Sequence, residues 1–267
     1  MAILEVGPGV ELYYEDEGQG TPVVFIHGVW MSSRFFKEQI PYFKRGHRAI
    51  TLDLRGHGRS SKVEDGHTIK TYAQDLQTFL EKLNLKDVVL VGWSMGAFVV
   101  WEYLTLFGEG NVKGTVIVDE LASDFKWPDF PIGAFDLATL THFMREVQEN
   151  RVEFLKGFLP LMFKNELSEA ELEWMLAETT SPPVGVASAI LFDQSVVDYR
   201  ATLPSIHSPA LLCFGREEKL IPTAAGEHLK RNLPNAELVL FENSCHCPFL
   251  EETDRFNEEV ARFIHKL

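Results

Sequence analysis

The feature that most constrains the fold is a serine between two glycines, directly after an apolar run. Val88–Gly92 reads VVLVG and is followed by Trp93, Ser94, Met95 and Gly96, and then by a helix-like stretch. A strand that turns sharply into a helix holds such a serine in a strained backbone conformation, with its hydroxyl above the sheet edge. The pattern therefore predicts a strand–turn–helix unit with Ser94 as a nucleophile. The alternative is an ordinary turn serine flanked by glycines.

Short apolar runs rich in β-branched residues alternate with amphipathic stretches along most of the chain. Nearly continuous apolar strands indicate a parallel sheet that is covered on both faces. The clearest helix is Ile69–Leu83, with one apolar stripe and Thr68 as its N-cap. The alternation predicts an α/β fold with a mostly parallel, doubly wound sheet. The predicted strands are Val10–Glu15, Val23–His27, Ala49–Leu54, Val88–Gly92, Gly114–Asp119, Ala210–Gly215 and Ala236–Phe241.

The strand–helix alternation stops after Asp119 and resumes at Pro209. The intervening stretch is helical in pattern and rich in aromatic residues. We therefore predict one α/β core of residues 1–120 and 204–267, interrupted by a helical cap of residues 121–203. The cap should lie at the loop end of the strands.

Composition and net charge narrow the kinds of molecule that the chain is expected to bind. The chain has 267 residues, of which 45% are hydrophobic, and a formal net charge of −14. An acidic surface repels polyanions, so nucleic acid and anionic membranes are not expected partners. Three cysteines imply no disulfide framework, and no signal peptide is visible, so a cytoplasmic location is expected. The most apolar stretch, Val184–Phe192, is too short to span a bilayer.

A serine nucleophile needs a base and an acid that orients the base. His246 follows the last predicted strand, at the sheet edge where catalytic groups gather in α/β proteins. Two adjacent carboxylates, Glu217 and Glu218, follow the preceding strand, and Asp119 ends the strand before the cap. Any of these three could face His246 in the folded chain.

Four motifs together resemble the α/β-hydrolase family, and the resemblance covers nearly the whole chain. They are Phe25–Gly28 (FIHG), Asp53–Ser60 (DLRGHGRS), Gly92–Gly96 (GWSMG) and the stretch from His246 to Phe256. The branch that the sequence resembles contains esterases and cofactor-free haloperoxidases with a mobile helical cap. The resemblance implies a Ser–acid–His triad and no cofactor.

The resemblance also implies roles for individual positions. The family pattern G-x-x-D-x-x-x-P aligns with Gly215 and Pro222, which puts Glu218 in the place of the usual aspartate. Glu217 and Asp119 stay as alternatives for the acid. The oxyanion hole is expected from the backbone N–H groups of Val29 and Met95.

The expected substrate pocket is apolar and aromatic. Trp30 follows the FIHG motif, Trp93 directly precedes Ser94, and Phe125 and Trp127 belong to the predicted cap. These four side chains are the predicted substrate contacts. Such a pocket suits an uncharged small-molecule ester or lactone. A metal site at Cys245–Cys247 is not expected, because no second pair of ligands occurs at the required spacing.

We therefore expect a serine hydrolase of carboxylic esters that works as a monomer or homo-oligomer. A lactonase is the main alternative. A ligand receptor that has kept the fold is a further alternative, supported only by glutamate in the place of the triad aspartate.

Overall fold

A computed structural model describes residues 2–267 and contains one sheet of eight strands. The strand order is β1-β2-β4-β3-β5-β6-β7-β8. Strand β2 pairs antiparallel with β1 and β4, and all other pairings are parallel. The strands are β1 (Ala2–Gly7), β2 (Val10–Gly18), β3 (Pro22–Ile26), β4 (Arg48–Leu52), β5 (Val88–Trp93), β6 (Val112–Val118), β7 (Ala210–Gly215) and β8 (Ala236–Phe241).

Helices cover both faces of the sheet and fill the long connection between β6 and β7. They are α1 (Gln39–Phe43), α2 (Ile69–Lys82), α3 (Met95–Phe107), α4 (Leu137–Glu149), α5 (Arg151–Phe158), α6 (Glu169–Thr179), α7 (Val184–Val196), α8 (Ala224–Asn232), α9 (Pro248–Glu251) and α10 (Thr253–Lys266). None of the helices in residues 2–267 combines the length and the apolar character that crossing a membrane requires.

The predicted α/β fold with a mostly parallel sheet is confirmed, and each of the seven predicted strands overlaps an observed one. Strand β1 was missed. It lies at the edge of the sheet, where only Val6 is buried, so the apolar signal of a covered strand is absent from it. Helix α2 begins where predicted, and Thr68 Oγ1 accepts a hydrogen bond from Thr71 N at 3.1 Å.

Helices α4–α7 lie between β6 and β7, inside the segment predicted as a cap. Hydrogen bonds tie this segment to the core at separate points. Trp30 Nε1 donates to Ala187 O at 3.0 Å, and Ile69 N donates to Asp193 Oδ2 at 2.7 Å. Because Ala187 and Asp193 both belong to α7, this helix is tied to the loop that follows β3 and to the start of α2.

The crossing of β5 and α3 leaves no space for a side chain. A Cβ atom at Gly92 would lie 2.5 Å from Gly96 O, and one at Gly96 would lie 2.3 Å from Ile26 O. Both neighbours are backbone atoms, which cannot move away without shifting the strand or the helix. Glycine is therefore required at both positions. This close crossing fixes the position of the turn between β5 and α3, which contains Ser94.

We expect Gly92→Ala to lower the free energy of unfolding by about 2 kcal/mol or more, because the new methyl group overlaps backbone atoms. Urea denaturation measures the change. Gly185→Ala is the matched control, since a Cβ there, in α7, meets no atom within 4 Å. The control should leave stability unchanged or raise it slightly. Equal losses in both variants would contradict the steric argument.

Candidate active site

Ser94 occupies the turn between β5 and α3 with φ 52° and ψ −128°, a conformation that non-glycine residues rarely adopt. Its backbone N donates to Val118 O at 2.9 Å, which fixes the turn against the neighbouring strand. A Cβ atom at Gly28 would lie 3.1 Å from Ser94 Cβ and 3.6 Å from its Oγ. The loop after β3 therefore lies directly against the serine side chain.

His246 lies in the loop after β8, and its imidazole lines the same cavity as Ser94. The backbone N–H and carbonyl of His246 both form hydrogen bonds. The N–H donates to Met162 O at 3.0 Å, and the carbonyl accepts from Trp93 Nε1 at 3.0 Å. The ring is almost fully buried, at 6% exposure. The loop that carries the imidazole is thus held both by Trp93 of β5 and by Met162 from the connection between α5 and α6.

Glu218 and His246 form a buried pair, with Glu218 Oε1 3.3 Å from His246 Nδ1. The two atoms are within ion-pair range, although the ring nitrogen is not aligned for a hydrogen bond. Catalytic hydrogen bonds in empty sites are often long and tighten when substrate binds. The arrangement is suited to a carboxylate that orients an imidazole base.

Hydrogen bonds aim Glu218 at the site, whereas Glu217 faces solvent. Glu218 Oε1 accepts from Leu220 N at 3.0 Å and from Ile221 N at 2.9 Å. Cys245 Sγ lies 3.1 Å from Glu218 Oε2 and donates to it. By contrast the Glu217 side chain is 51% exposed and lies 3.8 Å from Lys164 Nζ. The placement favours Glu218 over Glu217 as the acid.

The environment of Glu218 keeps it ionised. Burial by itself would raise the pKa of this carboxyl. The interaction with His246 and the hydrogen bonds from Cys245 and Ile221 outweigh burial, so the pKa of Glu218 lies below its usual range. A carboxylate is therefore present to stabilise a protonated His246.

Asp119 is a second carboxyl beside this pair. One atom each of Asp119, Glu218 and His246 lie within 4.8 Å of one another. Asp119 Oδ2 accepts from Gly215 N at 3.0 Å, while Oδ1 is buried without a partner among residues 2–267. Burial and then the Glu218 charge raise the pKa of Asp119 well above its usual range. Asp119 is therefore a neutral acid next to an ionised one.

An imidazole with two carboxyl groups is also a donor set that could hold a divalent cation. The same three groups serve a serine nucleophile without a metal, since one carboxylate orients the base and the neutral acid adds no charge. The predicted absence of a metal stays a prediction.

Val29 and Met95 are the residues whose backbone N–H groups are predicted to bind an oxyanion. Val29 lines the cavity, and Met95 is the first residue of α3, so its N–H has no acceptor within the helix. Neither N–H forms a hydrogen bond inside the described chain, residues 2–267. The positive end of α3 adds to the attraction for a negative oxygen. Val29 and Met95 thus stay the predicted oxyanion donors.

His27 positions the Val29 loop. Its Nδ1 donates to Gly28 O at 2.8 Å, and its Nε2 accepts from Leu54 N at 3.0 Å. Complete burial lowers the pKa of His27, so the ring is neutral and one nitrogen is free to accept. The histidine of the FIHG motif is therefore a structural residue.

The cavity has a volume of about 210 Å³ and is mostly apolar. Of the four predicted substrate contacts, it includes only Trp30. Its apolar lining residues are Val29, Trp30, Ala134, Phe135, Phe143, Phe158, Leu191, Leu220 and Ile221, and its polar lining residues are Ser94, Glu120, Asp124, Thr139, Gln194, Lys219 and His246.

The structure corrects the other three predicted contacts. Trp93 is fully buried beneath the site, where its ring packs 4.8 Å from that of Phe249 and its N–H holds the His246 loop. Phe125 and Trp127 pack against each other with ring centroids 5.1 Å apart. The Trp127 N–H donates to Ser123 Oγ at 3.0 Å, so both rings belong to the packing of the cap.

Sequence reasoning missed the polar group of the cavity, formed by Glu120, Asp124 and Gln194. Glu120 directly follows Asp119 at the end of β6, and this adjacency is the one local signal that could have found it. Asp124 and Gln194 lie 70 positions apart in the chain and carry no motif. Only the folding of α7 over the core brings them together.

Comparison with known proteins places these features in a wider group. A family model described as alpha/beta hydrolase fold matches residues 21–253. A non-heme chloroperoxidase of Kitasatospora aureofaciens is 30% identical, with 100% of each chain covered. The crystal structure of a bromoperoxidase from Bacillus anthracis has a TM-score of 0.94 and 30% identity, over 99% of each chain. An esterase from Exiguobacterium antarcticum has a TM-score of 0.92 and 27% identity, over 96% of each chain.

We expect the raised pKa of Asp119 to make stability fall with pH, since the folded chain holds this proton while the unfolded chain releases it above about pH 4. Asp119→Asn replaces the neutral carboxyl group with a neutral amide of nearly the same size that does not titrate. The stability of the variant relative to the parent should therefore rise with pH, by at most about 1.4 kcal/mol per unit. Urea denaturation across a pH series measures this. A difference that is constant with pH would show that Asp119 is ionised in the folded chain.

Proposed function

This chain belongs to the alpha/beta hydrolase fold family, and we propose that it is a serine hydrolase that cleaves carboxylic esters with small, largely apolar acyl groups. One observation carries the proposal. Ser94, on its strained turn, lines the same cavity as His246, and the imidazole of His246 has the buried Glu218 carboxylate 3.3 Å away. This is the set of groups that acyl transfer through a serine requires.

In the proposed first step, Ser94 Oγ attacks the carbonyl carbon of the ester and its proton passes to His246. Glu218 stabilises the imidazolium that forms. The carbonyl oxygen becomes an anion and accepts hydrogen bonds from the N–H groups of Val29 and Met95, each of which lowers the barrier by about 3–4 kcal/mol. Collapse breaks the bond to the alcohol, which leaves with the proton from His246, and the acyl group stays on Ser94.

In the second step, water attacks the acyl-enzyme. His246 accepts a proton from the water, the same N–H groups stabilise the second oxyanion, and collapse releases the carboxylic acid and restores Ser94. The apolar side chains of the cavity exclude bulk water around the acyl group, which strengthens these polar interactions.

A lactone is a cyclic ester, so the same two steps would open its ring while the alcohol stays attached to the acyl group. Lactone hydrolysis is therefore the second candidate function. Peroxide in place of water in the second step would give a peracid from the same acyl-enzyme. The similarity to haloperoxidases is consistent with this side activity. A panel that compares p-nitrophenyl esters with lactones of matched carbon number separates the first two candidates.

We expect Ser94→Ala to abolish hydrolysis of p-nitrophenyl acetate, since the alanine has no oxygen that can become acylated. The parent should release p-nitrophenol catalytically, and mass spectrometry should show one fluorophosphonate adduct, on Ser94. Thr105→Ala, at an exposed position on α3, is the matched control and should keep parental turnover. A parent chain that neither hydrolyses esters nor takes the probe would favour the ligand-receptor alternative.

We expect Glu218→Gln to reduce kcat by about 100-fold or more, because the amide cannot stabilise a charged imidazole. The neighbouring variant Glu217→Gln is the matched control and should keep parental kcat, since that side chain faces solvent. Asp119→Asn should change kcat far less than Glu218→Gln, because Asp119 is already neutral. If Asp119→Asn were the damaging variant and Glu218→Gln the mild one, the acid would be Asp119.

A further inference from the structure

A second pair of carboxyl groups, distinct from Glu218 and Asp119, lines the cavity that contains Ser94. Glu120 and Asp124 are 1% and 3% exposed, and each carboxyl shifts the pKa of the other. Glu120 Oε1 also accepts from Leu121 N at 2.6 Å. The triad mechanism uses neither residue.

This pair carries one negative charge. Burial and then the Asp124 charge raise the pKa of Glu120 well above its usual range, so Glu120 holds the shared proton. Burial raises the pKa of Asp124 to about 6, which leaves it ionised at neutral pH. Two carboxyl groups this close cannot both ionise at low cost.

No Lys or Arg of residues 2–267 forms an ion pair with this charge, and the lysine that lines the cavity is engaged elsewhere. Lys219, which lines the cavity, directs its ammonium to Phe163 O at 2.5 Å. His246 lines the same cavity and is the one cationic group that acts on Asp124, and only when it is protonated. A buried charge without a partner is costly, so a cation supplied from outside would be favoured here.

Gln194 provides an independent indication of a ligand. Its Nε2 donates to Asp124 Oδ2 at 3.2 Å, which commits the amide nitrogen and leaves the oxygen as an acceptor. That oxygen is buried and has no hydrogen-bond partner within residues 2–267, while the whole residue is only 4% exposed and lines the cavity. A buried polar atom without a partner needs an explanation, and a bound group that completes the network supplies one here.

We propose that Asp124, Gln194 and Glu120 form a subsite for a primary ammonium group carried by the substrate. This inference rests on the proposed function only in taking the substrate to be an ester. An ammonium places one positive charge beside the single negative charge and donates to both the Asp124 carboxylate and Gln194 Oε1. Phe135 and Phe143 line the same cavity, and aromatic rings attract cations. The preferred substrates are then amino-substituted esters.

A neutral hydroxyl could also donate to these acceptors, but it leaves the buried negative charge uncompensated. The ammonium therefore has the larger advantage, since hydrogen bonds between charged groups are about twice as strong as neutral ones. Comparing an amine with the alcohol of the same chain length tests this difference directly.

The experiment measures binding of n-butylammonium chloride and of 1-butanol by calorimetry at constant ionic strength. The protein is the full-length chain carrying Ser94→Ala, so turnover plays no part. We expect the ammonium to bind about ten-fold or more tightly than the alcohol, as expected for hydrogen bonds to a charged group. Adding Asp124→Asn should remove that preference. Adding Glu149→Gln, which deletes an exposed charge at the end of α4, should preserve it.

Equal affinity for the two probes, or an ammonium preference that survives Asp124→Asn, would overturn the subsite. If Asp124→Asn does not unfold cooperatively, Gln194→Met takes its place, because it removes the free acceptor at similar volume and should weaken ammonium binding several-fold. The two proposals fail separately. Ester hydrolysis by the parent without ammonium binding overturns only the subsite, and ammonium binding by a chain that hydrolyses no ester overturns only the hydrolase proposal.

Discussion

Three backbone segments meet around Ser94 with no side chain between them, and the site is built on this contact. Gly96 lies against the carbonyl of Ile26, Gly92 lies against Gly96, and Gly28 lies against the serine side chain. The approach forces the turn into φ 52°, a strained value that the surrounding packing has to maintain. The Ser94 hydroxyl and the backbone N–H groups of Val29 and Met95 lie at one edge of the sheet.

The catalytic loop is braced by the cap as well as by the core. His246 N donates to Met162 O, Lys219 Nζ donates to Phe163 O, and Cys245 Sγ lies 3.2 Å from Leu161 O. The three carbonyls belong to consecutive residues in the connection between α5 and α6. The position of the imidazole thus depends on the connection between α5 and α6 as well as on the core.

Two pairs of carboxyl groups share the cavity region, and each pair retains one proton for the same physical reason. Glu218 is ionised beside the neutral Asp119, and Asp124 is ionised beside the neutral Glu120. Burial makes a second charge expensive in either pair, while the first is stabilised by hydrogen bonds. One pair faces the imidazole, and the other faces open cavity. In the proposed functions, this difference in neighbours separates the role of Glu218 from that of Asp124.

Local pattern alone determined seven of the eight strands, the turn at Ser94, the N-cap at Thr68 and His246 as the candidate base, because each depends on residues close together in the chain. It could not find β1, whose edge position leaves it without a covered face. Tertiary structure alone decided that Glu218 faces His246 while Glu217 faces solvent, and that Trp93 supports the site from below. It also decided that Asp124 meets Gln194. These facts depend on which segments pack across the cavity, and contacts between distant segments leave no periodicity in the sequence.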